Sequence, residues 1–375
     1  MTIIKVKERG RETVNLGRRN IVINGAMQVA QRGTSFTDLG GANSYAACDR
    51  FQLTSTGTAG RLTYTQGVDA PHHIGFRNSV KLACTTADTS IAAAEFTRIR
   101  YRIEGRDLQQ IGLGTTGAKP ITVSFYVKGN AAATYVCELQ DHDNSKIATK
   151  SFTVGTTWSR VEITFPAETS GNKFDNDVNN SLTISWVLHA GSQYTSGTFD
   201  NTGTFATTVN GNRALSGQTS FFDSTNRTFF LTGVQLEKGD TATEFEHRSF
   251  AEELQACKRY FQKTFNYDTA PENHSGNGVQ YSGGILGYCG SNNNGSLSGF
   301  HRFNPEMRTT PTVVTYGNSS GHWGRLSPTN TGSITFDAGA GYISNTKATG
   351  INFGQNAAGN TILIGYGHIT ADAEL

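Results

Sequence analysis

Proline is scarce in this chain, with 7 in 375 residues, and charged side chains make up only 17%. Low charge excludes the highly charged, disordered class. Glycine is high at 43, and Thr, Ser and Asn are abundant. Such a profile excludes a mostly helical enzyme and fits an all-β protein with many turns and polar outward strand faces. The formal net charge is +2, so no general electrostatic case exists for nucleic acid or a membrane surface. Five cysteines (Cys48, Cys84, Cys137, Cys257, Cys289) are dispersed without a CxxC pair. That excludes a disulfide framework and a zinc site, and leaves them as small buried hydrophobes in a reducing cell. No run of about 18 apolar residues is present. The first residues lack the basic, apolar, small pattern of a signal peptide. Synthesis as a soluble protein in a cytoplasm is therefore expected. HExxH, GxSxG and Walker A motifs are all missing, and no repeat of fixed period occurs.

Strand patterning dominates what is present. Phe96–Ile103 alternates apolar residues with Thr97, Arg98, Arg100 and Arg102, as a one-sided strand does. Ile121, Val123, Phe125 and Val127 alternate with polar residues or Tyr126. The pattern repeats at Tyr135–Leu139, Val161–Phe165 and Leu182–Leu188, and Thr228–Val234 reads as a strand buried on both faces. Ile21–Ile23 reads as a strand closed by an Asn24-Gly25 turn. Short strands separated by Gly, Asn and Asp turns predict a jelly-roll β-sandwich over 20–247. Its polar 192–224 stretch is a long excursion. Residues 1–19 form a basic arm carrying Lys5, Lys7, Arg9 and Arg11. Residues 264–375 read as a smaller C-terminal β domain with a thin core, one that oligomerisation would help to bury.

Between these regions lies a single linking amphipathic helix, expected over 248–263. Ser249 and Glu252 form a capping-box pattern, with Glu252 and Glu253 in the first turn and Lys258, Arg259 and Lys263 at the end. Phe250, Leu254, Cys257 and Phe261 fall on one helical face. A lone helix of this length is marginal in water, so the stripe either caps the sandwich or packs against copies of itself.

Candidate chemistry is sparse. Gly112–Gly117 matches GxGxxG but precedes Lys119-Pro120 and a strand, so it reads as a turn. Asp141-His142-Asp143-Asn144 lies between strands and reads as a hairpin turn. Carboxylates at Glu138, Asp141, Glu162 and Glu168 could form a glycosidase pair only if the fold set their separation. No enzyme is predicted. Sugar binding needs exposed rings beside amides and carboxylates. Trp186 shares parity with Ile184 and Leu188 and reads as core, whereas Trp158, Tyr194, His322 and Trp323 are the candidate carbohydrate contacts.

Several stretches carry a resemblance. Asn20–Gly25, Asn78–Lys81, Ser124–Gly129 and Trp158–Val161 resemble the strand signatures of jelly-roll carbohydrate-binding modules. Asn24–Gly33, Ile103–Gly105, Gly233–Glu237, Ala242–Glu246, Glu253–Tyr260, Phe303–Pro311 and Ala371–Leu375 are similar to phage tail-fibre and minor structural proteins that use such a module. The resemblance implies a virion structural protein, made in the host cytoplasm: a homotrimeric tail fibre or adhesin that contacts host surface polysaccharide. Attachment to the tail would then use Lys5, Lys7, Arg9 and Arg11, and trimerisation Phe250, Leu254, Cys257 and Phe261. No cofactor is implied beyond a structural calcium, for which Asn24 and Glu237 are the nearest counterparts. Family members that serve only as spacers make a head-decoration, head-fibre or tail-spacer role the alternative.

Overall fold

The computed structural model describes residues 18–272, 285–289, 296–316, 323–328, 334–339, 341–356 and 363–375. The sandwich is built from β1 (Ser35–Leu39), β2 (Ser44–Tyr45), β3 (Phe51–Thr56), β4 (Arg61–Gly67), β5 (Ser79–Thr86), β6 (Phe96–Glu104), β7 (Ile121–Gly129), β8 (Ala133–Asp141), β9 (Lys146–Val154), β10 (Ser159–Phe165), β11 (Asn180–Ala190), β12 (Ala206–Thr207) and β13 (Thr228–Lys238). One antiparallel sheet has the order β1-β4-β5-β13-β7-β10, and the other β12-β9-β8-β11-β6-β3-β2. The chain crosses repeatedly between them, as a jelly roll does. Inward residues of both sheets form one core, with Val123, Phe125 and Leu231 from the first sheet meeting Phe51, Tyr101 and Trp186 from the second. Trp186 is fully buried, edge-on to Phe125 at 5.6 Å. Such aromatic pairs add about 0.5–1.5 kcal/mol beyond area burial.

Two local departures from simple alternation have clear causes. In β13, Phe229 and Leu231 point inward, but so do Val234 and Leu236. A bulge between Thr232 and Gln235 shifts the parity. Gly233 makes the shift, with φ of +61° and a position where a Cβ would lie 2.6 Å from Phe76. The expected strand at Ile21–Ile23 does not form. Instead the Asn20 amide replaces strand pairing: it donates to the Val234 carbonyl at 3.0 Å and accepts from the Val22 and Leu236 N–H groups. Gly25 then lies so close to β13 that a Cβ would meet the Val234 carbonyl oxygen at 2.2 Å.

The helix is shorter than its sequence pattern predicts, spanning Phe250–Lys258 with the Ser249/Glu252 capping box formed. Arg259 and Tyr260 anchor at Glu104, with the Arg259 Nη2 at 2.7 Å and the Tyr260 hydroxyl at 2.6 Å. There the chain turns into β14 (Phe261–Lys263). The C-terminal region continues through β15 (Ile285–Cys289), β16 (Ser296–Arg302), β17 (Thr312–Tyr316), β18 (Trp323–Pro328), β19 (Ile334–Gly339), β20 (Gly341–Lys347), β21 (Gly350–Asn356) and β22 (Leu363–Asp372). Strands β14, β15, β17 and β18 all pair with β22, while β16, β21 and β20 form a separate sheet. Among the described side chains this region has a small core of Phe303, Met307, Ile351, Ile369, Ala371 and Ala373.

After β22 the chain returns to the sandwich. Arg50 pairs with Glu374, Arg32 with Asp372 at 2.9 Å, and the Tyr45 hydroxyl donates to the Leu375 carbonyl oxygen at 3.0 Å. The cations reinforce this junction by stacking, since Arg50 lies 3.4 Å from the Tyr260 ring centroid and Arg32 lies 3.8 Å from that of Phe261.

Candidate functional site

Strand β6 buries Ile99, Tyr101 and Ile103. Because side chains alternate along a strand, Arg98, Arg100 and Arg102 must then project from the outer face of the second sheet. Register sets their neighbours. Arg98 lies opposite Thr54 and Val187, Arg100 opposite Gln52 and Ser185, and Arg102 opposite Thr183. One strand further, Glu138 lies opposite Ser185 and Gln140 opposite Thr183.

Two coverings leave a strip of this face open. At one end the 192–222 excursion folds over Phe96, Val136 and Val187, bringing Tyr194, Phe199 and Leu215 onto them. It is tied down through Glu138, which accepts from Arg213 at 2.7 and 2.6 Å and from Arg98 at 2.9 Å. At the other end Arg102 donates to the Leu375 carbonyl oxygen. Arg100 lies between the two. Its Nε donates to Gln52 at 2.6 Å, and among the described residues its Nη groups have no hydrogen-bond partner. The Gln140 amide likewise has none, while the His142 imidazole is 2.9 Å from the Thr183 hydroxyl. Neither Arg100 nor Arg102 pairs with a side-chain carboxylate among the described residues.

The electrostatics follow from that imbalance. Burial opposes ionisation of Glu138, but Arg213 and Arg98 outweigh it and hold the carboxyl below its usual range. Burial, then the fields of Arg102 and Arg98, pushes Arg100 down to about 9. Arg102 is also lowered, chiefly by burial. His142 is exposed at its outer edge, yet desolvation among its neighbours and the fields of Arg102 and Arg98 push it down to about 4. At neutral pH the strip therefore presents cationic forks beside a neutral imidazole and a free amide.

The residues singled out in the sequence do not converge on one place. Trp158 sits at the turn before β10, on the outer face of the first sheet. Its indole N–H donates to Asp69 at 3.0 Å, and its ring meets Phe230 edge-on at 6.1 Å. Tyr194, expected in a free polar loop, is half-buried against Phe96 at 4.3 Å and helps to hold the excursion down. Trp323, expected in a glycine-rich loop, opens strand β18 opposite Gly339. Its side chain, His322, and the arm residues Lys5, Lys7, Arg9 and Arg11 lie outside the described residues.

The expected helical seam is corrected in part. Cys257 and Phe261 are buried within this chain at 1% and 4% exposure, and Phe261 belongs to β14. Only Phe250, at 43%, is widely exposed, and even it meets Tyr267 edge-on at 5.1 Å. Leu254 is half-buried. The helix therefore caps its own chain, with the buried Glu253 carboxylate accepting the Asn24 N–H at 2.6 Å.

Asn24 and Glu237 share no partner. The Asn24 amide donates to the Val29 and Asp49 carbonyls and accepts from the Val29 N–H, and Glu237 accepts from Gln235 and Thr243. Among the described residues no group of three or more His, Cys, Asp or Glu side chains is arranged to hold a metal ion. The 141–144 segment is a hairpin turn in which Asp141 accepts from the Asp143 and Asn144 N–H groups. Gly114 also belongs to a turn, with φ of +76°.

No protein-family model matches the chain, and no curated protein matches its sequence. Solved structures resemble it at low identity. The enzymatically active domain of bacteriophage CBA120 tailspike protein 4 is 12% identical with a TM-score of 0.30, over 59% of this chain and 21% of that one. A family 30 carbohydrate-binding module is 12% identical with a TM-score of 0.30, over 62% and 96%. TmCBM61 in complex with β-1,4-galactotriose is 9% identical with a TM-score of 0.30, over 59% and 99%. The chain thus overlaps about a fifth of the tailspike domain's length. At these values no residue correspondence is drawn.

The arginine strip was absent from the residues expected to bind, although its signal was present in the sequence. The alternation of β6 showed three cations on one face, but which strands flank it, and what remains uncovered, are long-range facts.

Proposed function

We propose that this chain is a non-catalytic structural protein of a phage particle whose sandwich contacts glycans through the outer face of its second sheet. The observation that carries this reading is the polar strip of Arg100, Gln140 and His142, with the buried Gln52 orienting Arg100, between the 192–222 excursion and Leu375. Amide, guanidinium and imidazole groups on a rigid sheet suit the hydroxyls of a saccharide chain, and single contacts of this kind are weak. The phage assignment rests on the sequence motifs shared with tail-fibre and minor structural proteins. Tail attachment by the basic arm and presentation as a trimer belong to the same proposal, with avidity strengthening shallow sites.

The spacer alternative draws on the junction at Arg50 and Glu374, which ties the C-terminal region to the sandwich as a shaft would require. The test is binding of the full chain to a panel of neutral and acidic polysaccharides and to host cells before and after their surface polysaccharide is stripped. Saturable binding lost on stripping supports the glycan reading. A folded protein that binds no polymer and no cell sinks it in favour of the spacer.

A further inference from the structure

We infer that the glycan taken by this face is anionic, its carboxylate or phosphate held by the fork of Arg100 with the charge of Arg102 beside it, the Arg102 Nη1 being already engaged by Leu375; the inference rests on the glycan reading above and names its ligand class. Three observations converge. First, Arg98, Arg100 and Arg102 succeed one another on one face of β6, while Glu138 is the one carboxylate among the described residues that pairs within the cluster and is already taken by Arg213 and Arg98. Second, Arg100 keeps its Nη donors free among the described residues, and its Nε is held by Gln52, so the fork is fixed in direction before any ligand arrives. Third, the free Gln140 amide and the His142 imidazole stand near Arg102, across Thr183. They supply neutral donors and acceptors for hydroxyls next to the charged group.

A neutral sugar would leave the cationic excess uncompensated in a partly desolvated strip. An oxyanion would relieve it, and a guanidinium fork matches carboxylate or phosphate oxygens bidentately. Burial, then the fields of Arg102 and Arg98, already holds Arg100 below its ordinary range, and an anion placed beside the fork would offset those fields.

The experiment titrates the full chain with polygalacturonate, with its carboxyl-reduced neutral counterpart, and with poly(ribitol phosphate). The same titrations are run on Arg100→Gln and on Gln140→Glu, which sets a competing carboxylate beside the forks without removing an arginine. Polygalacturonate or poly(ribitol phosphate) should bind, whichever carries the matching oxyanion. Carboxyl reduction or Arg100→Gln should weaken that binding roughly 10- to 100-fold, the range for a charge-assisted contact, and Gln140→Glu should weaken it in the same direction. If Arg100→Gln does not fold, Gln140→Glu alone decides. Equal binding of polygalacturonate and its reduced form would overturn the inference while leaving the glycan reading intact. Binding of a polyanion that neither variant weakens would place it on the basic arm (Lys5, Lys7, Arg9, Arg11) and overturn the inference as well. No binding to any polymer in either panel would remove the glycan reading with it.

Discussion

Arg50 and Glu374, 324 positions apart, form an ion pair sealed from solvent, with side-chain exposures of 1% and 3%. Burial favours the neutral form of Glu374 and raises its carboxyl, against the opposing fields of Arg50 and Arg32. The pair closes the junction between the sandwich and the last strand. Removing Arg50 leaves the buried Glu374 with Arg32 alone, 3.5 Å away, so the cost falls at or below the low end of the roughly 3–5 kcal/mol for breaking a buried pair. Arg50→Met is expected to lower the unfolding free energy by about 2–3 kcal/mol in a denaturant titration. A change below about 1 kcal/mol would show that the junction contributes little to stability.

Glu138 governs the excursion. Replacing it with Gln leaves Arg98 and Arg213 facing each other in a buried setting. A loss of about 3–5 kcal/mol is expected, together with faster proteolysis within residues 192–224. Unchanged cleavage there would mean that the apolar contacts of Phe96, Val136 and Val187 suffice to hold the excursion.

His142 supplies a pH dependence. Its folded value of about 4 lies below its ordinary 6.5. Between those values the unfolded chain binds more protons, so stability rises with pH across that window and falls as pH drops from 6.5 towards 4. An imidazole titration by NMR should give a midpoint near 4, and His142→Gln should flatten the fall in melting temperature over the upper part of that window. A midpoint near 6.5 would show that neither burial nor the fields of Arg102 and Arg98 act on this ring.

Two glycines with similar φ should respond differently. Gly217 has φ of +74°, and no atom lies within 4 Å of the place a Cβ would take. Gly217→Ala should therefore cost about 1 kcal/mol from backbone strain alone. Gly233, at φ of +61°, would also drive its Cβ into Phe76 and Tyr126. Gly233→Ala should cost roughly 3 kcal/mol or more. Thermal unfolding of the two variants compares them, and equal losses would mean that the aromatic pair moves aside freely.

The helix offers a contrast between two of its own positions. Cys257→Asp places a charge in the interior of this chain and should unfold it or lower its stability sharply. Leu254→Asp, at a half-buried position, should be milder. Light scattering on Leu254→Asp reads the oligomer separately: a fold retained with an oligomer lost would restore a role for this helix between copies.

Much of the sandwich was legible in the chain because strand burial has a period of two. The expected strands at 96–103, 121–127, 135–139, 161–165 and 182–188 all form. Capping at Ser249 was legible for the same local reason, since Ser249 and Glu252 meet within one turn. The fold departs from the local pattern where a distant partner overrides it. Ile21–Ile23 has a strand's alternation, but the Asn20 side chain takes the hydrogen bonds that a strand would need. Tyr194 lies in a polar stretch, but Phe96, nearly a hundred residues earlier, buries it.

By itself, then, the sequence determined the all-β class, most strand positions and the three arginines on one face of β6. Those features depend on side-chain alternation and short-range hydrogen bonding. The tertiary structure decided which strands flank those arginines, that Glu138 neutralises Arg98 but not Arg100, and that the excursion and Leu375 stop short of covering the strip. It also decided that the helix caps its own chain. These outcomes rest on pairings between residues tens to hundreds of positions apart, which no local periodicity encodes.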